Sequence, residues 1–373
     1  MRKVFPDIFS FWNNRLVIAV VVIVMLLSST IAVSAHKFDV KFLLTDPSDN
    51  KTSYFEKLKN DIKEAKKSIH FDIYLLEYNQ YAGKDYPPNK ILNELVKAKN
   101  RGVDVRMTIN PATSARYPDT EPFLIKNGLA YKLTGTHSKL AVIDDRIAYV
   151  GSLNWNWRGL KYNYETNVRT MNPDVIKQAN AFLDNKWERG SAVIPATTDS
   201  SEKLLTGRGY FKDVQRQLAN ATNTIEIIMY DAQYNTKSKD FPTILLDELL
   251  NAKNRGVNVK ILLDDETSTR YPNTIKFLKD NNITFKLDQD GTIVRHTEML
   301  KFMASNNIHD KDTTIITHSK MLIIDDFAYI GSHNWTLDGL DTGGDATLKL
   351  NDPHVLSDSV HAFNDAWKRA RTI

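Results

Sequence analysis

The sequence predicts an α/β protein made of two similar halves, each a mixed β-sheet flanked by helices. The first observation is an internal repeat, because the segment AKNRGV at Ala98–Val103 returns at Ala252–Val257. The second is that Arg-Tyr-Pro at Arg116–Pro118 returns at Arg270–Pro272 with the same separation. The third is an alternation of helical and extended patterns within each half. We therefore expect two tandem α/β sandwich lobes, related by pseudo-twofold symmetry and preceded by an N-terminal hydrophobic helix.

The chain begins with a segment, residues 1–35, whose apolar core at Leu16–Val33 contains no charged residue. This run is about long enough to cross a bilayer as a helix. The cations before it predict a cytoplasmic N-terminus and a body on the other side of the membrane. Val33–Ala35 is also typical of a signal-peptidase site, so cleavage and secretion is the alternative to a retained anchor, which we favour. A buried core helix is the third interpretation.

The remaining chain divides into residues 36–192, a linker at 193–203 and residues 204–373. The linker is assigned from the polar, proline-containing stretch Val193–Ser201. The two halves have the same predicted order of elements, but the second carries an insertion within about residues 289–317. This insertion either lines the entrance to the site or is a surface excursion.

Within the first half, the apolar periodicity predicts a helix near Tyr54–Lys67 and a strand at Ser68–Leu75. A second helix at Lys90–Asn100 and a strand at Val103–Ile109 follow. A short helix, a short strand and a hairpin complete the half, and the same order is predicted in the second half.

Composition excludes several classes of protein. The chain has 373 residues, no Cys and a formal net charge of +4. The absence of Cys excludes disulfides and thiolate metal sites. Because the apolar segment and its flanks carry part of the small positive charge, the body is close to neutral. A large uniform basic field, which is typical of nucleic-acid binders, is therefore not evident.

Two stretches carry the polar residues that indicate chemistry. His137–Asp144 reads HSKLAVID and is followed by GSLNW at Gly151–Trp155. His318–Asp325 reads HSKMLIID and is followed by GSHNW at Gly331–Trp335. Each apolar run predicts a buried strand that enters a hairpin at an Asp-Asp turn. Because a strand sends residues i and i+2 to the same face, each His is expected beside a Lys.

Each copy offers an imidazole, an ammonium, a hydroxyl and an amide on neighbouring strand ends. The glycine of each Gly-Ser-x-Asn turn lets the backbone come close to a ligand. Two copies together suit a phosphodiester, because one His can attack phosphorus while the other protonates the leaving oxygen. The Lys and Asn donors would then hold the non-bridging oxygens.

The pattern H-x-K-x4-D followed by G-S-x-N, present twice, resembles the signature of the phospholipase D superfamily. The resemblance covers nearly all of the chain after about the first 40 residues. It implies a covalent phosphohistidine on His137 and proton donation by His318, with the reverse order as the alternative. It requires no metal and no cofactor.

The resemblance also implies roles for the remaining motif residues. Phosphate-binding residues would be Lys139, Lys320, Asn154 and Asn334, supported by Ser152 and Ser332. Asp144 and Asp325 belong to the catalytic motif, although their position at a hairpin turn favours a structural role.

In the family pattern, a Glu at a fixed distance after the Gly-Ser-x-Asn motif orients a His. Glu165 occupies this position in the first half, and Asp345 occupies it in the second. A carboxylate beside an imidazole fixes its tautomer and favours its protonated form. The change from Glu to Asp puts the equivalence of the two histidines in doubt.

The substrate is less well determined by the sequence. The anchor and the near-neutral body favour a phospholipid, acted on by hydrolysis or transphosphatidylation at a phospholipid membrane. The alternative is a tethered or secreted nuclease, and a non-catalytic binding protein is disfavoured because both His-Lys pairs are intact. Trp155, Trp157 and Trp335 would stack on bases, lie in a lipid interface or pack in the core. No obligate protein partner is evident.

Overall fold

Two mixed β-sheets, one in each half of the chain, form the framework. The structure is a computed structural model that describes residues 38–46, 51–190, 202–288, 293–308, 315–341 and 344–372. The strands of the first half are β1 (Val40–Asp46), β2 (Lys51–Thr52), β3 (Ser68–Ile73), β4 (Asp104–Ile109), β5 (Ala130–Leu133), β6 (Lys139–Ile143), β7 (Ile147–Gly151) and β8 (Glu165–Thr170). Those of the second half are β9 (Lys203–Thr206), β10 (Thr224–Met229), β11 (Asn258–Asp264), β12 (Thr284–Asp288), β13 (Lys320–Ile324), β14 (Phe327–Gly331) and β15 (Ala346–Leu350).

Helices accompany the strands in the same order in both halves. Those of the first half are α1 (Ser53–Glu64), α2 (Pro87–Asn100), α3 (Ala112–Arg116), α4 (Thr120–Lys126), α5 (Trp157–Lys161) and α6 (Pro173–Arg189). Those of the second half are α7 (Gly207–Asn220), α8 (Phe241–Asn254), α9 (Asp265–Arg270), α10 (Pro272–Asp280), α11 (Ile293–Ser305), α12 (Leu337–Asp341) and α13 (Pro353–Arg369). The predicted α/β class is thereby confirmed, and α11 is the helix of the insertion.

The two sheets have the same strand order, apart from the short strand β2 that is added at one edge of the first sheet. The first sheet runs β5-β4-β3-β6-β7-β8-β1-β2, and the second runs β12-β11-β10-β13-β14-β15-β9. In each sheet the first three strands are parallel, and the remaining neighbours are antiparallel. Both sheets are therefore mixed, as the sequence predicts. This topology brings each His-Lys strand, β6 or β13, to the middle of its sheet.

The central strands separate an outer core from a core shared by both halves. Along β6, Ala141 and Ile143 belong to the outer core of the first half, whereas Leu140 and Val142 belong to the shared core. This alternation follows from the two-residue repeat of a strand. Each fully buried aliphatic side chain contributes about 1.5–3 kcal/mol to folding. Because the shared core joins the halves, Val40–Ile373 forms one compact unit.

The insertion packs against the first half. Met299 and Met303 of α11 are buried beside Trp157 and Tyr162, which follow the first Gly-Ser-x-Asn motif. The ring of Phe302 stacks with the ring of Trp157 at a centroid distance of 6.1 Å. The surface-excursion interpretation of this insertion is therefore wrong, because α11 buries apolar side chains between the halves.

The predicted anchor or signal segment at residues 1–35 lies outside the described residues, as does most of the linker at 193–203. Across the ranges that the structure covers, no helix is long and apolar enough to span a bilayer. The N-terminal hydrophobic helix is therefore not confirmed.

Candidate active site

The two His-Lys motifs begin at equivalent strand ends. Lys139 is the first residue of β6 and Lys320 is the first residue of β13. Strand β6 pairs antiparallel with β3, and β13 pairs antiparallel with β10. The backbone just before each strand is fixed by equivalent hydrogen bonds. The amide of Tyr74 donates to the Ser138 carbonyl at 3.1 Å, and the amide of Tyr230 donates to the Ser319 carbonyl at 3.1 Å.

Each histidine pairs with a carboxylate of the opposite half. The Nδ1 atom of His137 lies 2.7 Å from Oδ1 of Asp345. The Nδ1 atom of His318 lies 3.0 Å from both carboxylate oxygens of Glu165. Because Nδ1 of each ring faces a carboxylate, Nε2 of each ring is left to act on a substrate. Spacing along the chain could not reveal this crossed arrangement.

Backbone hydrogen bonds between the halves hold the crossed pairs in place. The amide of His137 donates to the carbonyl of Gly344 at 2.8 Å, one residue before Asp345. Tyr164, the residue before Glu165, donates its amide to the carbonyl of Ile316 at 3.0 Å. The position of each carboxylate relative to its histidine is therefore set by how the two halves pack.

The two lysines are buried in the same site. Lys139 is 3% exposed and Lys320 is 1% exposed. Burial lowers the pKa of Lys139 to about 8 and that of Lys320 to about 7. Each ammonium donates to the carbonyl of the histidine two residues before it. Burial and the positive charges of Lys320, Lys139 and His137 together lower the pKa of His318, so the two motifs form one electrostatic unit.

The two histidine–carboxylate pairs differ electrostatically. Burial raises the pKa of Glu165 to about 7, and burial also lowers the pKa of His318 well below its usual value. Although burial opposes it, the attraction of His137 holds the pKa of Asp345 far below its ordinary range. These shifts favour the ionised form of Asp345 beside His137, and they favour one proton on the Glu165–His318 pair until the pH passes about 7.

The motif serines bind these carboxylates. The Ser152 hydroxyl donates to Oε2 of Glu165 at 2.5 Å, and the Ser332 hydroxyl donates to Oδ1 of Asp345 at 2.6 Å. Both serines are fully buried. The prediction that Ser152 and Ser332 support phosphate binding is corrected here, because their hydroxyl protons are used to orient the carboxylates.

The motif glycines serve packing of the protein itself. A Cβ atom at Gly151 would collide with the side chain of Asn167, and one at Gly331 would collide with Thr347. Both neighbours lie on the adjacent strand, β8 or β15. We predicted that these positions require glycine because a ligand comes close to the backbone. In the structure they require glycine because a side chain of the adjacent strand comes close instead.

The motif asparagines each follow, by two residues, the serine that binds a carboxylate of the site. Oδ1 of Asn154 accepts a hydrogen bond from the Leu75 amide at 3.2 Å, so its Nδ2 is the group that can donate to a phosphate oxygen. In the second half, Oδ1 of Asn334 is buried and accepts no hydrogen bond from the residues that the structure describes. The two asparagines therefore differ in how firmly they are held.

Asp144 and Asp325 lie outside this cluster, at the far end of each His-Lys strand. The carboxylate of Asp144 accepts hydrogen bonds from the amides of Lys66, Lys67 and Ser68. Asp325 accepts equivalent hydrogen bonds from residues 222–224. Their inclusion among the catalytic residues is therefore corrected, and the structural role that the hairpin position favours is the one observed.

The three tryptophans pack in the core. Trp155, Trp157 and Trp335 are 2%, 1% and 1% exposed, respectively. The indole N–H groups of Trp155 and Trp335 donate to the Tyr54 and Tyr210 hydroxyls at 3.0 and 3.1 Å. These tryptophans are thus unable to stack on bases or enter a lipid interface without unfolding.

Two tyrosines that the sequence analysis missed contact both motif residues of their half. The Tyr74 ring lies 4.8 Å from the His137 ring, and Tyr230 lies 4.9 Å from His318. The lysine ammonium of each half lies 5.3 Å and 4.7 Å from these rings, respectively. Each tyrosine directly follows β3 or β10 in the sequence, and this repeated position is the signal that could have identified both.

A third buried histidine occupies the variable position of the second Gly-Ser-x-Asn motif. His333 stacks on Tyr210 at a centroid distance of 4.1 Å, and its Nδ1 lies 2.8 Å from the Thr347 hydroxyl. Burial lowers its pKa to about 4, so it is neutral at physiological pH. Over the described ranges, no group of three or more His, Cys, Asp or Glu residues is arranged to hold a metal ion.

Comparison with known proteins shows which family the chain belongs to. The family model described as "Cardiolipin synthase, PLD-like domain" matches residues 58–187 and 214–367. The chain is similar to Phospholipase D Z of Dictyostelium discoideum, with 25% identity covering 82% of each chain. It is also similar to the 5'-3' exonuclease PLD3 of Xenopus laevis, with 22% identity covering 79% of this chain and 70% of that protein.

A solved structure has the same fold. The phosphatidylserine synthase of Haemophilus influenzae Rd KW20 superposes with a TM-score of 0.65 and 12% identity, covering 90% of this chain and 87% of that one. The fold alone follows from this likeness, whereas membership follows from the family model, which matches both halves. The chain therefore belongs to the phospholipase D superfamily and is a phosphodiesterase of that superfamily.

Proposed function

We propose that this phosphodiesterase cleaves or transfers phospholipid headgroups through a covalent phosphohistidine. The observation that carries the proposal is the crossed pairing of His137 with Asp345 and of His318 with Glu165. Two imidazoles, each oriented by a carboxylate, provide a nucleophile and a proton donor for one phosphorus atom.

In the first step, Nε2 of His137 attacks phosphorus. The bond from phosphorus to the leaving oxygen breaks, and this oxygen takes a proton from His318. The side chain of His137 is 30% exposed and that of His318 is 9% exposed, so His137 is the more accessible nucleophile. Asp345 stabilises the positive charge that develops on the His137 ring, and the Glu165–His318 pair supplies the proton.

In the second step, His318 accepts a proton from water or from an acceptor alcohol. The oxygen of that molecule attacks phosphorus and breaks the bond to Nε2 of His137, which restores the free enzyme. Water gives hydrolysis, and an alcohol gives transphosphatidylation. In both steps Lys139 and Lys320, together with the amides of Asn154 and Asn334, would stabilise the non-bridging oxygens.

A phospholipid is the substrate class that we favour. The support is similarity to proteins named as phospholipases D, together with the near-neutral net charge of the chain. The second candidate is a nucleic acid, supported by similarity to a protein named as a 5'-3' exonuclease. The buried tryptophans leave this second candidate without the indole stacking surface that would have favoured it.

We also propose that residues 1–35 attach the protein to a membrane with the catalytic body on the extracytoplasmic side. The support is the uncharged run Leu16–Val33 and the cations before it. Protease added outside intact cells should degrade the body while the N-terminus stays protected. Degradation only after lysis would refute this orientation.

A leaving-group comparison tests the assignment of the two histidines. The wild type, His137→Ala and His318→Ala are assayed with phosphatidylcholine vesicles, with single-stranded DNA and with a nitrophenyl phosphodiester, whose leaving group needs little protonation. We expect His137→Ala to lose all three activities, whereas His318→Ala retains turnover of the nitrophenyl ester. The opposite pattern would reverse the roles, and release of nucleotide without headgroup would favour the nucleic-acid candidate.

A further inference from the structure

The halves differ at equivalent positions of β3 and β10, the strands that pair with the His-Lys strands β6 and β13. On β3, Asp72 pairs with Thr108 of the next parallel strand. On β10, the equivalent residue is Ile228, which pairs with Leu262. A buried carboxylate and a hydroxyl in the first half therefore replace two aliphatic side chains of the second half.

The covering helices differ in the same way. Lys186, three residues before the end of α6, is 2% exposed, and its Nζ lies 3.5 Å from the Gly135 carbonyl. The equivalent residue of α13 is Ala366, which is fully buried in the shared core. The second half shows that this position can be filled without any polar group.

Asp72 is fully buried and accepts three hydroxyl hydrogen bonds. The donors are Thr108, Thr136 and Ser138. The last two flank His137 on either side along the chain. One carboxylate therefore fixes both neighbours of the histidine that we assign as nucleophile.

The same segment contacts the opposite half. The Thr136 hydroxyl lies 3.3 Å from the Gly344 carbonyl, which also accepts the His137 amide. The Ser138 amide donates to the Thr136 hydroxyl at 3.2 Å. Gly344 directly precedes Asp345. Because Asp72 fixes Thr136, and Thr136 contacts Gly344, Asp72 also influences the distance between His137 and Asp345.

The second half achieves a similar arrangement with different residues. The hydroxyl of Thr317, the residue before His318, donates to Asp288, and its amide donates to Asp264 at 2.7 Å. Both halves thus fix the threonine before the histidine with a carboxylate, although the carboxylates come from different strands. Packing alone does not require this, because Ile228 fills the position of Asp72 in the second half.

We infer that Asp72 is a positioning residue for His137 and Lys139. It holds the Thr136–Ser138 segment so that Nδ1 of His137 meets Asp345 and Nε2 is presented to phosphorus. This inference rests on the proposed role of His137. Loss of such support should misplace the nucleophile, and a displacement of about 1 Å costs on the order of 10²-fold in rate.

Asp72 also acts on the charge of Lys139. Its negative charge raises the pKa of Lys139 against the effect of burial, which lowers it. The other charged or titratable groups that face Lys139 or its neighbours are Asp345, Glu165, His137, His318, Lys320, His333 and Tyr74. Burial raises the pKa of Asp72 itself, and the positive charge of Lys186 on α6 opposes this rise. Removing the charge of Asp72 should therefore move the loss of the Lys139 proton to lower pH.

The first experiment compares Asp72→Asn with Asp61→Asn in the full chain. Asp61 is a matched control, because its carboxylate accepts hydrogen bonds from Tyr149 and Arg169 within the same half. We expect Asp72→Asn to lower kcat about 10- to 100-fold with little change in KM. It should also move to lower pH the upper part of the alkaline limb, where Lys139, whose pKa is about 8, loses its proton. Asp61→Asn should lower the melting temperature but keep the kcat and pH profile of the wild type.

A second variant separates positioning from folding. The triple variant Asp72→Ile, Thr108→Leu and Lys186→Ala introduces the residues of the second half and leaves no buried charge unpaired. We expect it to fold with a melting temperature close to that of the wild type and still to show the reduced kcat. Wild-type kcat and pH profile in either Asp72 variant would overturn the inference.

A readout independent of turnover separates this inference from the proposed function. The imidazole titration of His137 is followed by NMR in the wild type and in Asp72→Asn. We expect the His137 titration to move further than that of His318, which contacts neither Asp72 nor the Thr136–Ser138 segment directly but shares the charges of Lys139 and His137. An unchanged His137 titration would overturn the inference even if the wild type cleaves phospholipid, and a shifted one would support it even if no phosphodiester tested is turned over.

Discussion

Replacing Asp345 with Asn should slow formation of the phosphohistidine without preventing folding. Asn has nearly the same volume and can still contact the Ser332 hydroxyl, but it carries no charge. Asp345 is 1% exposed and lies 2.7 Å from Nδ1 of His137. Its charge is therefore poorly screened by water, and its loss should be felt when the His137 ring becomes cationic on attacking phosphorus.

The expected magnitude follows from Coulomb's law. Two opposite charges about 4 Å apart, at an effective dielectric constant of about 20, attract each other by about 4 kcal/mol. Because about 1.4 kcal/mol of barrier corresponds to a tenfold change in rate, kcat should fall about 10³-fold. KM should stay within about threefold, since Asp345 contacts His137 and Ser332 rather than the substrate.

The assay is rapid-quench measurement of the phosphoenzyme burst with a nitrophenyl phosphodiester and with phosphatidylcholine. Asp345→Asn should slow the burst equally with both, because nucleophilic attack is affected. Glu165→Gln is the comparison variant, and it should slow cleavage of phosphatidylcholine far more than that of the nitrophenyl ester. A loss below tenfold in Asp345→Asn, or a loss confined to phosphatidylcholine, would refute the assignment of this pair to the nucleophile.

Three further outcomes are expected. The kcat should fall as the pH rises above about 7, because the proton shared by Glu165 and His318 is lost as the pH passes the pKa of Glu165, as a pH–rate profile would show. Asp144→Ala should lower the free energy of unfolding by about 2 kcal/mol, measured by urea denaturation, with kcat within twofold of wild type, because only backbone amides are left unpaired. Met299→Ala should lower it by about 2–4 kcal/mol, because a fully buried side chain between the halves is removed.

Each of these has a defined contrary result. A rate that is constant to pH 9 would mean that no shared proton is used. A thousandfold loss of kcat in folded Asp144→Ala would return Asp144 to the catalytic group. Asp145→Ala, next to it in the same turn, is the matched control for that variant. A Met299→Ala protein as stable as the wild type would mean that the insertion does not join the halves.

The duplication and the reacting groups could be predicted from the sequence because each is a local pattern repeated along the chain. The hairpins after Lys139 and Lys320 follow from continuous apolar runs that end at Asp-Asp turns, and the structure contains them as β6–β7 and β13–β14. The repeated AKNRGV segment also has a local reason. Arg101, at the end of α2, donates to backbone carbonyls in and just after α1. Arg255, at the end of α8, donates in the same way to carbonyls in and just after α7, so each arginine joins two helices of its half.

The crossed pairing could not be predicted, because it depends on how the halves pack. Glu165 and Asp345 occupy equivalent positions, and neither spacing nor residue type says which imidazole each one meets. The role of Ser152 was missed for a related reason. A serine in a Gly-Ser-x-Asn turn can donate to phosphate or to a carboxylate, and only the three-dimensional contact distinguishes them.

The exchange of carboxylates between halves has a consequence for genetics. A lesion at His137 and a lesion at Asp345 disable the same chemical unit, although more than half of the chain separates them. Combining the two lesions should therefore reduce activity little more than the more severe lesion does alone. Neither half, produced on its own, would contain a histidine with its base, so independent exchange of the halves between relatives would rarely yield an active enzyme.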